Sequence, residues 1–526
     1  MREALGKVAG GKQFVRQKRI FMQGIYSALF IFMLIGSVAD RLAPIPPVHI
    51  TPVTITNART TRLATPFDGQ GLYESCRLDT TEQQCLHRLT QIAAGGFTLV
   101  LNYDVLSASA DQLIAYLNQA NLLHMRVILA LNNHAWWNGS RSPREIYPVL
   151  ASSCANAAFF APCATDRAFL DYILQLVSGN AGLWGYYVGD EVPARDFTQL
   201  QSFTNQIKAL DNTHPRLFVA ATPLGIATLN TDLVTLTTAP SFSTADIATV
   251  IGQDYYPVGS YPQLPVNGLA TIGPQLNTVT NNNTENSGVA TSYALVLQAH
   301  SFLPYPGYAC GSPPALSRCP YPTLQQMQTM LKNLLQSAHP RLILWYSFFD
   351  LLRSGNPDYH WANTITAAGF NAIHNPSFEP WYAPWIWRNG GPGSRASGTA
   401  TQACTILSSP PDSFCAAHIQ VTEVDPHAAG YVAFQQAGIP IISGKPTYVS
   451  FDAKSENGGT MRFALNSASS NENYFVQTPF LTATWTHYSY VFYNTQFNDP
   501  AALCTLIFGD HTGDVWVNSV VITTPS

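Results

Sequence analysis

The chain has 526 residues, enough for two or three domains. Only 11% of them are charged, the net charge is −4, and no basic patch stands out in the body, which argues against nucleic acid as a partner. With so few charges the surface must be rich in Ser, Thr, Asn, Gln and aromatic groups, a composition suited to uncharged, hydroxyl-rich ligands.

Residues 1–39 read as a targeting segment. Arg2, Lys7, Lys12, Arg16, Lys18 and Arg19 precede an apolar run over residues 20–39. That run can just span a bilayer, and its basic flank favours a cytoplasmic N-terminus. Ser37-Val38-Ala39 also resembles a signal-peptidase site, so an uncleaved membrane anchor and secretion after cleavage near Ala39 both fit. Either way the rest of the chain is expected at the cell surface or outside the cell. Residues 40–64 are rich in Pro and Thr and read as a linker.

Over residues 65–373, apolar extended runs alternate with helical patterns. Eight strands are expected, at 69–73, 97–103, 126–132, 184–188, 216–221, 249–255, 290–298 and 342–348. Asp79 and Glu82 make a capping box for the first helix, which Gly95-Gly96 ends. Further helices are expected near 109–122, 166–178, 197–210, 323–338 and 359–373. The helical signal is weakest between the fifth and seventh strands. Eight βα units in about 300 residues predict a (β/α)8 barrel of TIM type. A doubly wound sheet is the alternative, but the chain has no GxGxxG or GxxxxGK[ST] phosphate loop.

From residue 374 to 526 helical periodicity gives way to short alternating runs at 431–435, 447–453, 460–465, 484–493, 502–508 and 515–523, separated by Asn, Gly and Ser turns. This predicts an all-β jelly-roll sandwich. Eight of the nine cysteines fall into close pairs: Cys76 and Cys85, Cys154 and Cys163, Cys310 and Cys319, Cys404 and Cys415. Export favours their oxidation, and the first three pairs lie in βα loops. Cys504 is left over and reads as a buried thiol. No Cys-x-x-Cys knuckle or HExxH motif is present.

In a barrel, polar groups at the carboxyl ends of strands line the site. Here the second strand ends in Asn102-Tyr103-Asp104 and the third in Asn132-Asn133-His134, followed by Trp136-Trp137. The fourth runs from an aromatic stretch straight into Asp190-Glu191. The sixth gives Asp254-Tyr255-Tyr256, the seventh Gln298-Ala299-His300, and the eighth Trp345-Tyr346-Ser347 and then Asp350. Aromatic faces stack on sugar rings, amides and imidazoles bond to hydroxyls, and a pair of carboxyl groups can cleave a glycosidic bond. Carbohydrate is therefore the expected partner, with no cofactor needed for catalysis.

On these residues the barrel resembles the clan A glycoside hydrolases. The resemblance implies Glu191 as acid/base, with Asp190 where the family has Asn. It also implies His134, Tyr255 or Tyr256, and Trp345 as substrate-binding residues, joined by Asn102, Trp136, Gln298 and His300. The family's nucleophile is a Glu at the end of the seventh strand, where this chain has Gln298. Asp254 is the candidate second carboxylate, acting as nucleophile or base, with Asp190 also in position to activate water; Glu74 and Asp350 stand in reserve. A non-catalytic glycan-binding or adhesion protein on a degenerate barrel is the alternative. The stretch Asn375-Pro376-Ser377-Phe378-Glu379, with Trp381 and Trp385 behind it, resembles the opening of a jelly-roll carbohydrate-binding module. That resemblance implies a sugar platform including Trp381 and Trp385, and a structural calcium held through Glu379; Asn518 stands where the family has Asp.

Overall fold

The computed structural model describes residues 67–524, apart from 139–140, 158–162, 224–225, 239–243, 260–263, 288–290, 303–318, 352–358, 380, 391–393, 409–410, 426–431, 471 and 495. The leader, the linker and Cys310 lie outside the described residues.

Eight parallel strands close into a barrel in chain order: β1 Gly69–Glu74, β2 Leu99–Asn102, β3 Arg126–Ala130, β4 Leu183–Asp190, β5 Arg216–Ala220, β6 Val250–Tyr255, β7 Ser292–Gln298 and β8 Leu342–Tyr346. The ring closes where β8 pairs with β1, Gly69 opposite Leu342. Each strand lies where the apolar runs place it. Strands covered on both faces read as continuous apolar runs, and β7 is buried at every position. Asp68 plugs the amino end of the barrel. It accepts from Trp184 Nε1 at 2.9 Å and Arg341 Nε at 2.7 Å, and the guanidinium lies 5.6 Å above the Trp184 ring.

Helices fill the outer layer. The first, Leu78–Ala94, corrects the expected capping box: Arg77 is its N-cap residue, with no side-chain cap. Asp79 is held by the Arg77 guanidinium at 2.7 Å, so it cannot cap. True capping boxes form at Ser109/Gln112 and Thr323/Gln326. Helix Leu269–Ser287 between β6 and β7 was not legible in the sequence, because its Asn- and Thr-rich run carries Pro274 and few apolar positions.

The C-terminal part is a sandwich of two five-stranded antiparallel sheets. Its strands are β9 Ile386–Asn389, β10 Ser397–Ser408, β11 Pro411–Glu423, β12 Val432–Ile441, β13 Pro446–Ser455, β14 Arg462–Asn466, β15 Asn473–Gln477, β16 Thr486–Tyr493, β17 Asp499–Ile507 and β18 Gly513–Thr523. One sheet has the order β10-β11-β18-β13-β16, the other β15-β14-β17-β12-β9. Phe378, Trp385, Phe434, Phe451 and Phe463 pack between them. The six alternating runs of the sequence correspond to β12–β14 and β16–β18; the other four strands lack clean alternation.

Barrel and sandwich are stitched together. Asn371 donates to Val520 O and accepts from Ile522 N, Ala372 N donates to Ile522 O, and Val521 packs into the barrel's own core. Disulfides link Cys76 to Cys85, Cys154 to Cys163, and Cys404 to Cys415. The residues of the last pair face each other across the β10–β11 hairpin. Cys319 is also disulfide-bonded, and Cys504 is a buried free thiol.

Candidate active site

The carboxyl end of β4 organises the site. A register shift against β5 falls between Tyr187 and Gly189, the kind of bulge that re-aims side chains at a barrel rim. A side chain on Gly189 would strike the Phe218 ring at 2.6 Å, so only glycine lets the strand pass here. Asp190 then receives Tyr187 OH at 2.6 Å, Tyr103 OH at 3.1 Å and Asn132 Nδ2 at 3.5 Å. Burial pushes its carboxyl up to about 6, with the Glu191 charge adding to the rise and the Tyr187 hydrogen bond opposing it.

Glu191 follows with φ +51°, a left-handed backbone that costs a non-glycine residue on the order of 1–3 kcal/mol. Its amide is fixed on Val219 O at 2.8 Å, and its side chain is exposed at the mouth. Asp254 reaches it from the end of β6. Thr222 N donates to Asp254 Oδ1 at 2.8 Å, and the Asp254 carboxyl is in hydrogen-bond contact with Glu191. Burial first, and then the Glu191 charge, hold the Asp254 carboxyl well above the usual carboxylate range.

Phenols ring the three carboxyls. Tyr73 lies 5.4 Å from Tyr103, 6.1 Å from Tyr187 and 5.1 Å from Tyr346, centroid to centroid, and Tyr346 lies 5.6 Å from Tyr256. Burial, followed by the Asp190 or Asp254 charge, raises Tyr73, Tyr103, Tyr187 and Tyr256 well above the normal phenol range, so all four stay protonated as donors. His300 packs against Tyr256 at 4.9 Å and Tyr346 at 5.0 Å. Its Nδ1–H donates to Tyr346 O at 3.2 Å, and burial lowers its pKa to about 4. The exposed His134 lies near Asp190.

Asp190, Glu191, Asp254, Tyr256, His300 and His134 thus come together as expected. Five other expected ligands face elsewhere. Trp345 is fully buried and donates to Gln70, whose amide bonds to Ala368 O, so its ring faces the helix layer and Tyr346 takes the mouth. Tyr255 is fully buried with its hydroxyl on Pro265 O. Asn102 binds the Cys76 backbone in both directions. Trp136 stacks among Tyr147, Phe169 and Phe203. Gln298 exchanges hydrogen bonds with the Val258 backbone at 2.8 Å each way, so the position of the family's nucleophile clamps a loop. The reserve acids are also engaged, Glu74 by Arg88 at 3.0 Å and Asp350 by Ser347. Tyr103 and Tyr346 were seen at strand ends but given no role, and Tyr73 and Tyr187 were missed; their positions at or near strand ends were the available signal.

In the sandwich, Trp385 is corrected from platform to core: it is 2% exposed and stacks on Phe378. Trp381 is half-buried against Tyr382 and Phe434. Glu379 accepts from Cys415 N at 3.0 Å, and Asn518 Oδ1 accepts from Ser519 N at 2.7 Å. Calcium takes six to eight oxygen ligands, and these two oxygens already accept backbone hydrogen bonds. Among the described residues no group of three or more His, Cys, Asp or Glu is placed to hold a metal.

No protein-family model matches the chain, and no curated protein does. Among solved structures it is similar to a glycoside hydrolase family 5 protein from Bacteroides vulgatus, with 8% identity over 84% of this chain and 91% of that one and a TM-score of 0.36. Another structure, described as a glycoside hydrolase, gives 7% identity over 84% and 93% with a TM-score of 0.36. A family 11 carbohydrate-binding module from Clostridium thermocellum, in complex with a β-1,3-1,4-mixed-linked tetrasaccharide, gives 13% identity over 28% of this chain and 92% of the module, with a TM-score of 0.20. Likeness at this level assigns no activity to this chain.

Proposed function

We propose that the chain is an exported glycoside hydrolase acting on a poly- or oligosaccharide, with Glu191 and Asp254 as the working pair. The observation that carries this reading is the meeting of the two carboxyls at the carboxyl ends of β4 and β6, with Asp254 held well above the usual carboxylate range by burial and by the Glu191 charge. Hydrolysis of a glycoside needs one carboxyl to protonate the leaving oxygen and a second to attack the sugar or activate water. In this proposal the pair shares one proton, and the exposed Glu191 delivers it to an arriving glycosidic oxygen. That transfer leaves Asp254 as the carboxylate for the second role. A sugar seated between the two would part them to roughly 5–5.5 Å in a retaining enzyme or roughly 6.5–9.5 Å in an inverting one. Tyr73, Tyr103, Tyr256 and Tyr346 would supply ring faces and hydroxyl donors around it.

Export is supported by the disulfides, which persist in oxidising compartments. Among the described residues no helix is long and apolar enough to cross a membrane, and the leader lies outside them. The sandwich is proposed to bind carbohydrate. The clamped Gln298 favours a second reading, a barrel that binds glycans without cleaving them.

One experiment separates the readings: release of reducing ends from a panel of neutral polysaccharides by the wild type, Glu191→Gln and Asp254→Asn. A hydrolase of this design loses roughly 10²-fold or more with either substitution. Activity retained in both variants sinks the assignment, and binding without cleavage by the wild type selects the second reading.

A further inference from the structure

A cavity of about 580 Å³ lies away from the carboxyl pair, at the seam between barrel and sandwich. Helices Leu78–Ala94 and Tyr359–Ala367 form its barrel wall, and the outward face of β13 and β16 forms the other. Register explains why the sheet presents the right groups. Ser450 pairs with Ser489, and Asp452 with His487, so alternate residues of both strands point out of the sandwich core.

The lining has a consistent chemistry. Trp361, Trp485 and Tyr448 supply ring surface, while Thr90, Gln91, Ser450 and Ser489 supply hydrogen-bonding groups without charge. One acid, Asp452, is 4% exposed and is held by His487 Nδ1 at 2.9 Å. The lining contains no Lys or Arg, so hydrogen bonding and ring contact rather than ion pairing dominate within the cavity itself. At one end the site continues along the sheet. Lys454 Nζ lies 5.7 Å over Trp485 and 4.5 Å over Trp516, and Trp516 stacks on His418 at 4.5 Å. Cavities of this size that combine ring surface with a few fixed polar groups are ordinary small-ligand sites.

We infer that this seam is a second, non-catalytic binding site for a neutral saccharide, built jointly by a barrel helix and the sandwich. Ring surface on both walls matches the apolar faces of a pyranose. Gln91, Ser450 and Ser489 match its hydroxyls, and the Trp485–Lys454–Trp516 track gives a longer chain an exit. Because both walls contribute, an occupied site also ties the two parts of the protein together. The inference stands apart from the catalytic reading, since it uses none of the residues at the barrel mouth.

The test is calorimetric titration of the full chain with neutral hexasaccharides of β-1,4-glucan, β-1,4-xylan, β-1,4-mannan and α-1,4-glucan, with a hexagalacturonate as the charged comparison. Trp485→Ala, on the sandwich wall, and Gln91→Ala, on the barrel wall, should each weaken binding of the preferred neutral chain by about tenfold, as losing an anchoring contact commonly does. Ser489→Trp, which fills the cavity, should abolish it. Failure of every neutral chain to bind overturns the inference. So does affinity unchanged in Gln91→Ala or Ser489→Trp, or preference for the charged chain. Neither result bears on hydrolysis, which is read separately through Glu191→Gln.

Discussion

Asp190 and His300 place two opposed proton switches in one site. The Asp190 carboxyl goes from an ordinary 3.8 to about 6 on folding, whereas the His300 imidazole goes from 6.5 to about 4. A carboxyl whose folded pKa is raised contributes stability that is fully present below its unfolded pKa and is lost as pH rises through the folded one. A histidine whose folded pKa is depressed contributes in the other direction, its penalty growing as pH falls through its unfolded value. At 1.36 kcal/mol per unit, integrating these shifts from about pH 4.5 to about pH 7 gives a loss of about 2 kcal/mol from Asp190 and a gain of about 2 kcal/mol from His300. The two nearly cancel, and the raised Asp254 adds to the Asp190 side.

The perturbation is Asp190→Asn, which keeps the shape and removes the titration. Urea unfolding of wild type and variant at the two pH values isolates the effect. On going from about pH 4.5 to about pH 7 the variant should gain about 2 kcal/mol or more relative to wild type, because losing the Asp190 charge also eases Asp254. His300→Gln should shift the balance by about 2 kcal/mol the other way. If the pH dependence of Asp190→Asn matches wild type within about 0.5 kcal/mol, the picture of a buried, raised carboxyl held by Tyr187 and Tyr103 is wrong.

Breaking the Cys76–Cys85 link by the double Cys→Ser variant should cost about 2–3 kcal/mol, the chain-entropy value for a loop of 9 residues, read as a lower urea midpoint. Trp345→Ala should cost roughly 3–5 kcal/mol by opening a buried cavity while leaving KM unchanged below the melting range; a KM shift without loss of stability would return that ring to the substrate. Excess EDTA should leave the thermal midpoint unchanged, because the Glu379 and Asn518 oxygens are already engaged; a clear drop would show a structural cation in the sandwich.

Much of this architecture is local in origin and therefore legible in the chain itself. Apolar runs such as Ser292–Gln298 read as strands buried on both faces, and their alternation with helices points to a parallel sheet, with a barrel favoured over a doubly wound one by the count of eight and the missing phosphate loop. Because parallel strands all present their carboxyl ends to one rim, Asp190, Glu191 and Asp254 could be assigned to a common face before any coordinates. The alternation that orients side chains was harder to use at strand ends. Trp345 and Tyr346, or Tyr255 and Tyr256, are adjacent in sequence and point to opposite sides of the sheet, and a bulge such as the one at Val188 resets the count.

Hydrophobic periodicity and chain direction were enough to place the two-part fold, the order of strands and the rim on which the carboxyls stand. That Asp254 is buried beside Glu191, that Gln298 clamps a loop, and that barrel and sandwich enclose a cavity between them emerged only once the chain was folded. Those outcomes depend on burial and on distances between residues far apart in the chain, which no local pattern encodes.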